Sequence, residues 1–201
     1  MTGPSTDIVL AGVGGQGSVL ATRILAAAAE RSGHDVVTSE VHGMSQRGGT
    51  VVTTVRFGQR VLSPSIPEGT ADYLLAFERL EAARQLPMLR EGGIALVNDQ
   101  CIAPSIDSLR TADYPADLEA RATGRNVTLL LYPALRLARD LGNDRLSSTV
   151  LLGALSDYLF LAHDAWLHAI RTTVPPNTVA ANLAAFETGA EWLVGSPEFS
   201  F

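Results

Sequence analysis

Short apolar runs alternate along the chain with longer stretches of three-to-four-residue periodicity. Ile8–Ala11 is apolar throughout and ends against glycines, the pattern of a buried strand. From Gln16 to Arg31, Leu20, Ile24, Ala27 and Ala28 share one face while Arg23 and Glu30 lie elsewhere, which predicts a helix that Gly33 stops. Strands are predicted at Asp35–Ser39 and at the β-branched stretch Thr50–Phe57, with a loop, Glu40–Gly49, between them. Past the Pro- and Gly-rich stretch Ser63–Gly69, Tyr73–Phe77 reads as a strand and Glu78–Leu89 as a helix that Pro87 ends or kinks. Gly93–Val97 and Val127–Leu131 read as strands, and Pro133–Leu141 as a short helix.

The last third is helical. Ser147–Phe160 is apolar nearly all round and so expects cover on both sides. Asp164–Thr173 opens on an aspartate cap, and Thr178–Leu193 carries Val179, Leu183, Phe186, Ala190 and Leu193 at helical spacing. Strands alternating with helices predict an α/β fold: a three-layer α/β/α sandwich on a mainly parallel, Rossmann-like sheet with a helical C-terminal third. The 201 residues suit a single domain, its core at about 7–194 and a loose tail over 195–201.

Composition narrows the chemistry. All fifteen basic residues are arginine. That excludes a Schiff-base or PLP lysine, a lipoyl or biotinyl lysine, and the lysine of a Walker loop. The single cysteine, Cys101, cannot ligate an iron–sulfur cluster, a Cys-rich zinc site or a CxxC pair, and points to a reducing, cytoplasmic setting. A net charge of −6 argues against nucleic acid as a partner. The first residues lack the features of a signal peptide, and the longest apolar runs fall far short of a membrane span, so no membrane is expected.

Two segments carry candidate chemistry. Gly12-Val13-Gly14-Gly15-Gln16-Gly17 lies between the first strand and the first helix and satisfies GxGxxG. Glycines there admit positive φ and close backbone approach, and the helix start attracts a phosphate or carboxylate. The competing reading is that they only let the helix pack on the sheet. A dinucleotide would also need an acid at the end of the second strand, and neither Asp35 nor Glu40 is well spaced for it. The second segment is Ser39-Glu40-Val41-His42-Gly43-Met44-Ser45-Gln46-Arg47-Gly48-Gly49, at the carboxyl end of a predicted strand, where open α/β sheets bind ligands. His42 can serve as acid or base, and Arg47 can grip a carboxylate or phosphate with both arms of its fork. Here the alternative is a tight turn bonding its own backbone or a neighbouring subunit.

These two segments together resemble the gamma-type domain of the 2-oxoacid:ferredoxin oxidoreductase family, and within it the beta subunits of indolepyruvate:ferredoxin oxidoreductases. The resemblance continues through Val55-Arg56-Phe57-Gly58, Ser63-Pro64-Ser65-Ile66-Pro67-Glu68-Gly69, Ala71-Asp72-Tyr73-Leu74-Leu75-Ala76-Phe77-Glu78, Leu151-Leu152-Gly153-Ala154-Leu155 and Val174-Pro175-Pro176. It departs from the family pattern at Ser18 and Ser45. What it implies is an EC 1.2.7-type subunit, inactive alone, serving an enzyme that decarboxylates an aryl-2-oxoacid on thiamine diphosphate with Mg²⁺. Electrons would pass through [4Fe-4S] clusters to ferredoxin, and the acyl group would leave on coenzyme A. No GDG element is present, and one cysteine cannot hold a cluster. The thiamine and cluster sites are therefore expected on a larger alpha subunit in a hetero-oligomer, with no cofactor held by this chain alone. The candidate contact residues are Gly12, Gly14, Gly15, Gln16, Gly17, Ser39, Glu40, His42, Gly43, Gln46, Arg47 and Gly48; none is assigned as catalytic.

Two other readings stay open: a free-standing Rossmann enzyme using NAD or FAD, and a non-catalytic assembly module. His34 is expected to be solvated, His163 and His168 structural or exposed, and Cys101 partly buried. Trp166 and Trp192 are expected in the core or an interface, and Asp113, Asp117 and Glu119 on a solvated face.

Overall fold

A computed structural model describes residues 5–42, 49–102 and 117–195. Six strands form one sheet: β1 (Thr6–Val13), β2 (Asp35–His42), β3 (Thr50–Gly58), β4 (Ala71–Ala76), β5 (Leu89–Asn98) and β6 (Thr128–Tyr132), in the order β2-β3-β1-β4-β5-β6. Helices are α1 (Ser18–Arg31), α2 (Arg79–Gln85), α3 (Leu118–Gly124), α4 (Ala134–Asp140), α5 (Ser147–Ser156), α6 (His163–Thr173) and α7 (Val179–Gly195). The β1–β4, β4–β5 and β5–β6 pairs are parallel, while β3 runs antiparallel to both β1 and β2. The sheet is mixed because β2 and β3 are joined by too short a connection for a crossover helix, so they pair as a hairpin. Strand β2 runs to His42, and Glu40–His42 belong to it rather than to a loop, each facing a β3 residue down to His42 opposite Val51.

Apolar side chains leave both faces of the buried strands. Ile8 and Leu10 enter a core shared with α1, α4, α5, α6 and α7; Val9 and Ala11 enter another with α2 and α3. That alternation makes the three layers. The α1 helix is pinned to β3 by a buried Thr22–Thr53 hydroxyl pair at 2.5 Å. It ends at Arg31, and just beyond it Gly33, at positive φ, donates its N–H to Glu30 O at 2.9 Å.

Other expectations shift as well: the helix expected over Glu78–Leu89 is α2, which ends at Gln85, and Leu89 opens β5. The α5 helix stops at Ser156, whose Oγ donates to Gly153 O, and Phe160 beyond it is fully exposed at 104%. The α6 helix opens at His163 after an extended Ala162, so Asp164 sits in the first turn, facing the dipole, rather than capping it. Cys101 is exposed, since it follows the end of β5 past the edge of the sheet. Trp166 lies in the core, and Trp192 packs edge-on against Tyr132 at 4.5 Å. His34 is half-buried against Phe57, while His163 and His168 are exposed, His163 facing Glu187 at 3.1 Å. Asp117 and Glu119 are exposed and paired with Arg121 and Arg79; Asp113 and the tail 196–201 lie outside the described residues.

Candidate functional site

Strands β1, β4, β5 and β6 run the same way, so their carboxyl ends share one edge of the sheet; the antiparallel pairings bring the end of β2 and the start of β3 to it as well. From neighbouring β1 and β4 the chain leaves to opposite faces, through α1 and α2. Such a reversal opens a crevice outside the strand ends, the favoured ligand position in an open α/β sheet. Gly12–Gly17 span the end of β1 and the turn that follows it at that edge, and Phe77–Arg79 follow the end of β4.

The glycine turn is tightly built. Gln16 Oε1 accepts from Val13 N–H at 2.7 Å, and Gln16 Nε2 donates to Phe77 O at 3.0 Å, bracing the turn against the end of β4. A Cβ on Gly12 would sit 2.9 Å from Gln16 Oε1 and 3.0 Å from Phe77 Cδ2. Gly17 has φ 84°, and its missing Cβ leaves room for Ser148 Oγ. The α1 start has no side-chain cap and no acid in its first turn, so its amides and positive dipole end can take an anion. By contrast the α2 start carries its own anion: the buried Glu78 carboxylate accepts from the Leu80 and Glu81 amides. Asn98, also buried, donates to Phe77 O at 3.2 Å and accepts from Leu135 N–H at 3.1 Å, tying β5 into the same rim.

The two sequence motifs meet here. Gly14 N–H donates to Gly49 O at 3.0 Å, and Val13 pairs with Thr50, so the hairpin returns to the sheet beside the glycine turn. Ser39 and Glu40 lie in β2 opposite Thr54 and Thr53, and His42 ends that strand. The His42 side chain and residues Gly43, Met44, Ser45, Gln46, Arg47 and Gly48 lie outside what is described. Strand β3 separates β2 from β1, so Glu40 is not on the strand beside the glycine turn, as the ribose-binding acid of a dinucleotide fold is. Asp35 serves the opposite edge, accepting from Val61 N–H at 2.8 Å. This geometry disfavours the NAD reading.

Sequence reasoning missed Glu81. It is 2% exposed, and its Oε1 accepts from Thr50 Oγ1 at 2.9 Å and Arg84 NH1 at 2.5 Å. Its Oε2 is buried without a hydrogen-bond partner. Burial pushes this carboxyl above the usual carboxylate range and neighbouring Glu78 adds to the rise, while Thr50 and Arg84 pull it down. The available signal was the Glu78-x-x-Glu81 pattern at a helix start, which resembles a capping box. A folded carboxyl with a raised pKa binds more protons than the unfolded one. Stability is therefore lost as pH climbs from the ordinary glutamate value through the folded value. Glu81→Gln should flatten that part of the stability profile, checked by urea unfolding from pH 4 to 7.5; a profile unchanged by the substitution would refute the shift.

The donor sets also set limits. Among the described residues no group of three or more His, Cys, Asp and Glu could hold a metal ion, and the one cysteine does not fit a cluster. No described helix is long and apolar enough to cross a membrane.

A family model described as pyruvate ferredoxin/flavodoxin oxidoreductase matches residues 7–192. The chain belongs to that family. Among curated relatives, indolepyruvate oxidoreductase subunit IorB of Thermococcus kodakarensis is 40% identical over 190 residues, covering 92% of this chain and 94% of that protein. The subunit of the same name from Pyrococcus horikoshii is 39% identical over the same shares. Among solved structures, the gamma subunit of a keto/oxoacid ferredoxin oxidoreductase from Geobacter sulfurreducens has a TM-score of 0.72 at 26% identity, covering 95% of this chain and 99% of that one. The family is one of oxidoreductase subunits, and the resemblance read from the two motifs extends over the whole fold.

Proposed function

We propose that this chain is the small subunit of an indolepyruvate, or more broadly aryl-2-oxoacid, ferredoxin oxidoreductase, whose larger alpha subunit carries thiamine diphosphate, Mg²⁺ and [4Fe-4S] clusters. The observation that carries the reading is the near full-length similarity to two IorB subunits, together with the meeting of the glycine turn and the hairpin at one edge of the sheet. Thiamine diphosphate, when bound on the partner, supplies the carbanion chemistry of decarboxylation. In the net reaction the oxoacid loses CO₂, two electrons reach two ferredoxins, and the acyl group joins the coenzyme A sulfur as its proton leaves.

This chain's part is to bind and orient. The uncapped α1 amides at Gly17–Ser18 offer a seat for a carboxylate or a coenzyme A phosphate, and Gly14 and Gly15 keep the approach free of side chains. Arg47 adds a bidentate cation and His42 an imidazole, and Gly43, Gln46 and Gly48 are the remaining candidate contacts of that segment. Ser39 and Glu40 hold the strand that presents the loop. The enzyme would work in the cytoplasm as a hetero-oligomer, and the chain alone would be inactive.

Co-expression with a large, cysteine-rich alpha subunit should yield a brown complex that reduces ferredoxin with indolepyruvate and coenzyme A. A colourless monomer that binds NAD would refute the assignment. Within the complex, Arg47→Ala should raise the KM for coenzyme A or oxoacid by roughly tenfold, the loss of one charge-assisted contact, with assembly intact. An unchanged KM would refute the ligand role of this loop.

A further inference from the structure

We propose that Glu81 is a positioning residue for the candidate site, a buried clamp on the point where the hairpin re-enters the sheet beside the glycine turn. The inference rests on the anion-binding reading above and names a residue outside both motifs.

The geometry is a closed triangle. Thr50 Oγ1 donates to Glu81 Oε1 at 2.9 Å, Arg84 NH1 donates to the same oxygen at 2.5 Å, and Arg84 NH1 also donates to Thr50 Oγ1 at 3.2 Å. Thr50 is the first residue of β3 and faces Val13, the last residue of β1. One residue before it, Gly49 O receives the Gly14 amide. Two α2 side chains, Glu81 and the Arg84 it holds, thus fix the strand start whose neighbouring carbonyl holds the middle of the glycine turn. Movement at Thr50 passes to Gly14 through two peptide units and one hydrogen bond.

The arrangement is poor if stability is its only purpose. One carboxylate oxygen is buried without a partner, one turn from the equally buried Glu78. Leaving a buried acceptor unmade is unfavourable, and apolar packing there would be cheaper. An ionisable group kept in such surroundings marks a place where position matters more than stability. What Glu81 gains is directional: a short charge-assisted bond to Arg84 and a fixed acceptor for the Thr50 hydroxyl, which orient the hairpin root against α2. Pre-setting that root keeps the glycine turn in place when a ligand engages it.

The test compares Glu81→Ala, Glu81→Gln and Thr50→Val in the full complex, with amide exchange on the chain itself. Glu81→Ala and Thr50→Val should each speed exchange at the Gly14 amide by about tenfold, with Leu10 and Val55 unaffected. Both should raise KM for coenzyme A or oxoacid by about fivefold or more, with kcat within about twofold and subunit co-purification unchanged. Glu81→Gln, which keeps a carbonyl acceptor for Thr50, should recover most of both effects. The double variant Glu81→Ala/Thr50→Val should be no worse than either single one, because both cut the same link. Wild-type exchange at Gly14 and wild-type KM in Glu81→Ala would overturn the proposal, as would full additivity in the double variant. If Arg47→Ala raises KM while Glu81→Ala does not, the clamp alone fails. If neither does, the ligand reading fails as well.

Discussion

Gly153→Ala and Gly189→Ala should each destabilise the chain by about 3 kcal/mol, lowering its melting temperature by roughly 6–12 °C. The two glycines face each other where α5 crosses α7. A Cβ on Gly153 would lie inside the contact radius of Phe186 O, and one on Gly189 inside that of Val150 O. In each case the obstacle is backbone, so no rotamer change relieves it and the helices must part. Parting them would open gaps around Phe186, Leu151 and Ala185, all of which are at 0% exposure. It would also strain the bond from Tyr132 OH to Gly189 O. Burial has pushed that phenol far above the usual tyrosine range, so it stays a neutral donor at any working pH. The double variant should cost less than the sum of the singles, because one separation makes room for both methyls. Gly124→Ala is the control: nothing lies near its missing Cβ and its φ is ordinary, so it should be neutral or stabilising. Urea midpoints for the four variants decide the matter, and a Gly189→Ala as stable as the parent would refute the close crossing.

Those glycines show what was readable in the sequence and what was not. The apolar character of Ser147–Phe160 announced a helix covered on both sides, and α5, which stops at Ser156, is buried along most of its length. Periodicity says nothing about how closely two axes approach, so Gly153 appeared only as part of a resembling motif. The strands were equally legible, because β-branched and apolar runs such as Val51–Val55 have few alternatives. Their order was not. A strand's direction depends on whether its connection is a turn or a crossover, and the glycine-rich stretch after β2 hid the hairpin that reverses β3. The site followed the same division. Gly12–Gly17 and Ser39–His42 were legible as candidates because glycines and clustered polar residues mark where an apolar strand stops, at the edge where open α/β sheets bind ligands. Glu81 showed only as the second acid of a helix-start pattern, and its burial was not legible, since an acidic residue on a short helix reads as solvent-facing until the sheet opposite it is known.

Arg56→Ala should cost about 3–5 kcal/mol, because it leaves the buried Asp7 carboxylate with the Ser5 hydroxyl but without its cation. Arg56 on β3 pairs directly with Asp7 on β1. Its Nε donates to Asp7 Oδ1 at 2.9 Å and its NH2 to Asp7 Oδ2 at 2.8 Å, a two-pronged bridge between side chains only 17% and 9% exposed. Its NH1 reaches across to the carbonyls of Ser63 at 3.1 Å and Ser65 at 2.7 Å, holding the connection that inserts Ile66 into the core beside Val9. One guanidinium thus joins two strands and the segment that covers them, which gives the Val55–Gly58 and Ser63–Gly69 motifs a common physical reason. Lysine has a single ammonium and cannot span these acceptors, so Arg56→Lys should recover less than half of the loss. Asp7→Asn in the Arg56→Ala background should regain stability by removing the unpaired charge. The bridge lies at the amino end of β1, the opposite edge from the glycine turn. At temperatures where the variant stays folded, its KM values in the assembled complex should match the parent's. A loss below about 1 kcal/mol would place this pair among ordinary surface bridges, and a raised KM with an intact fold would mean that the two edges of the sheet are coupled.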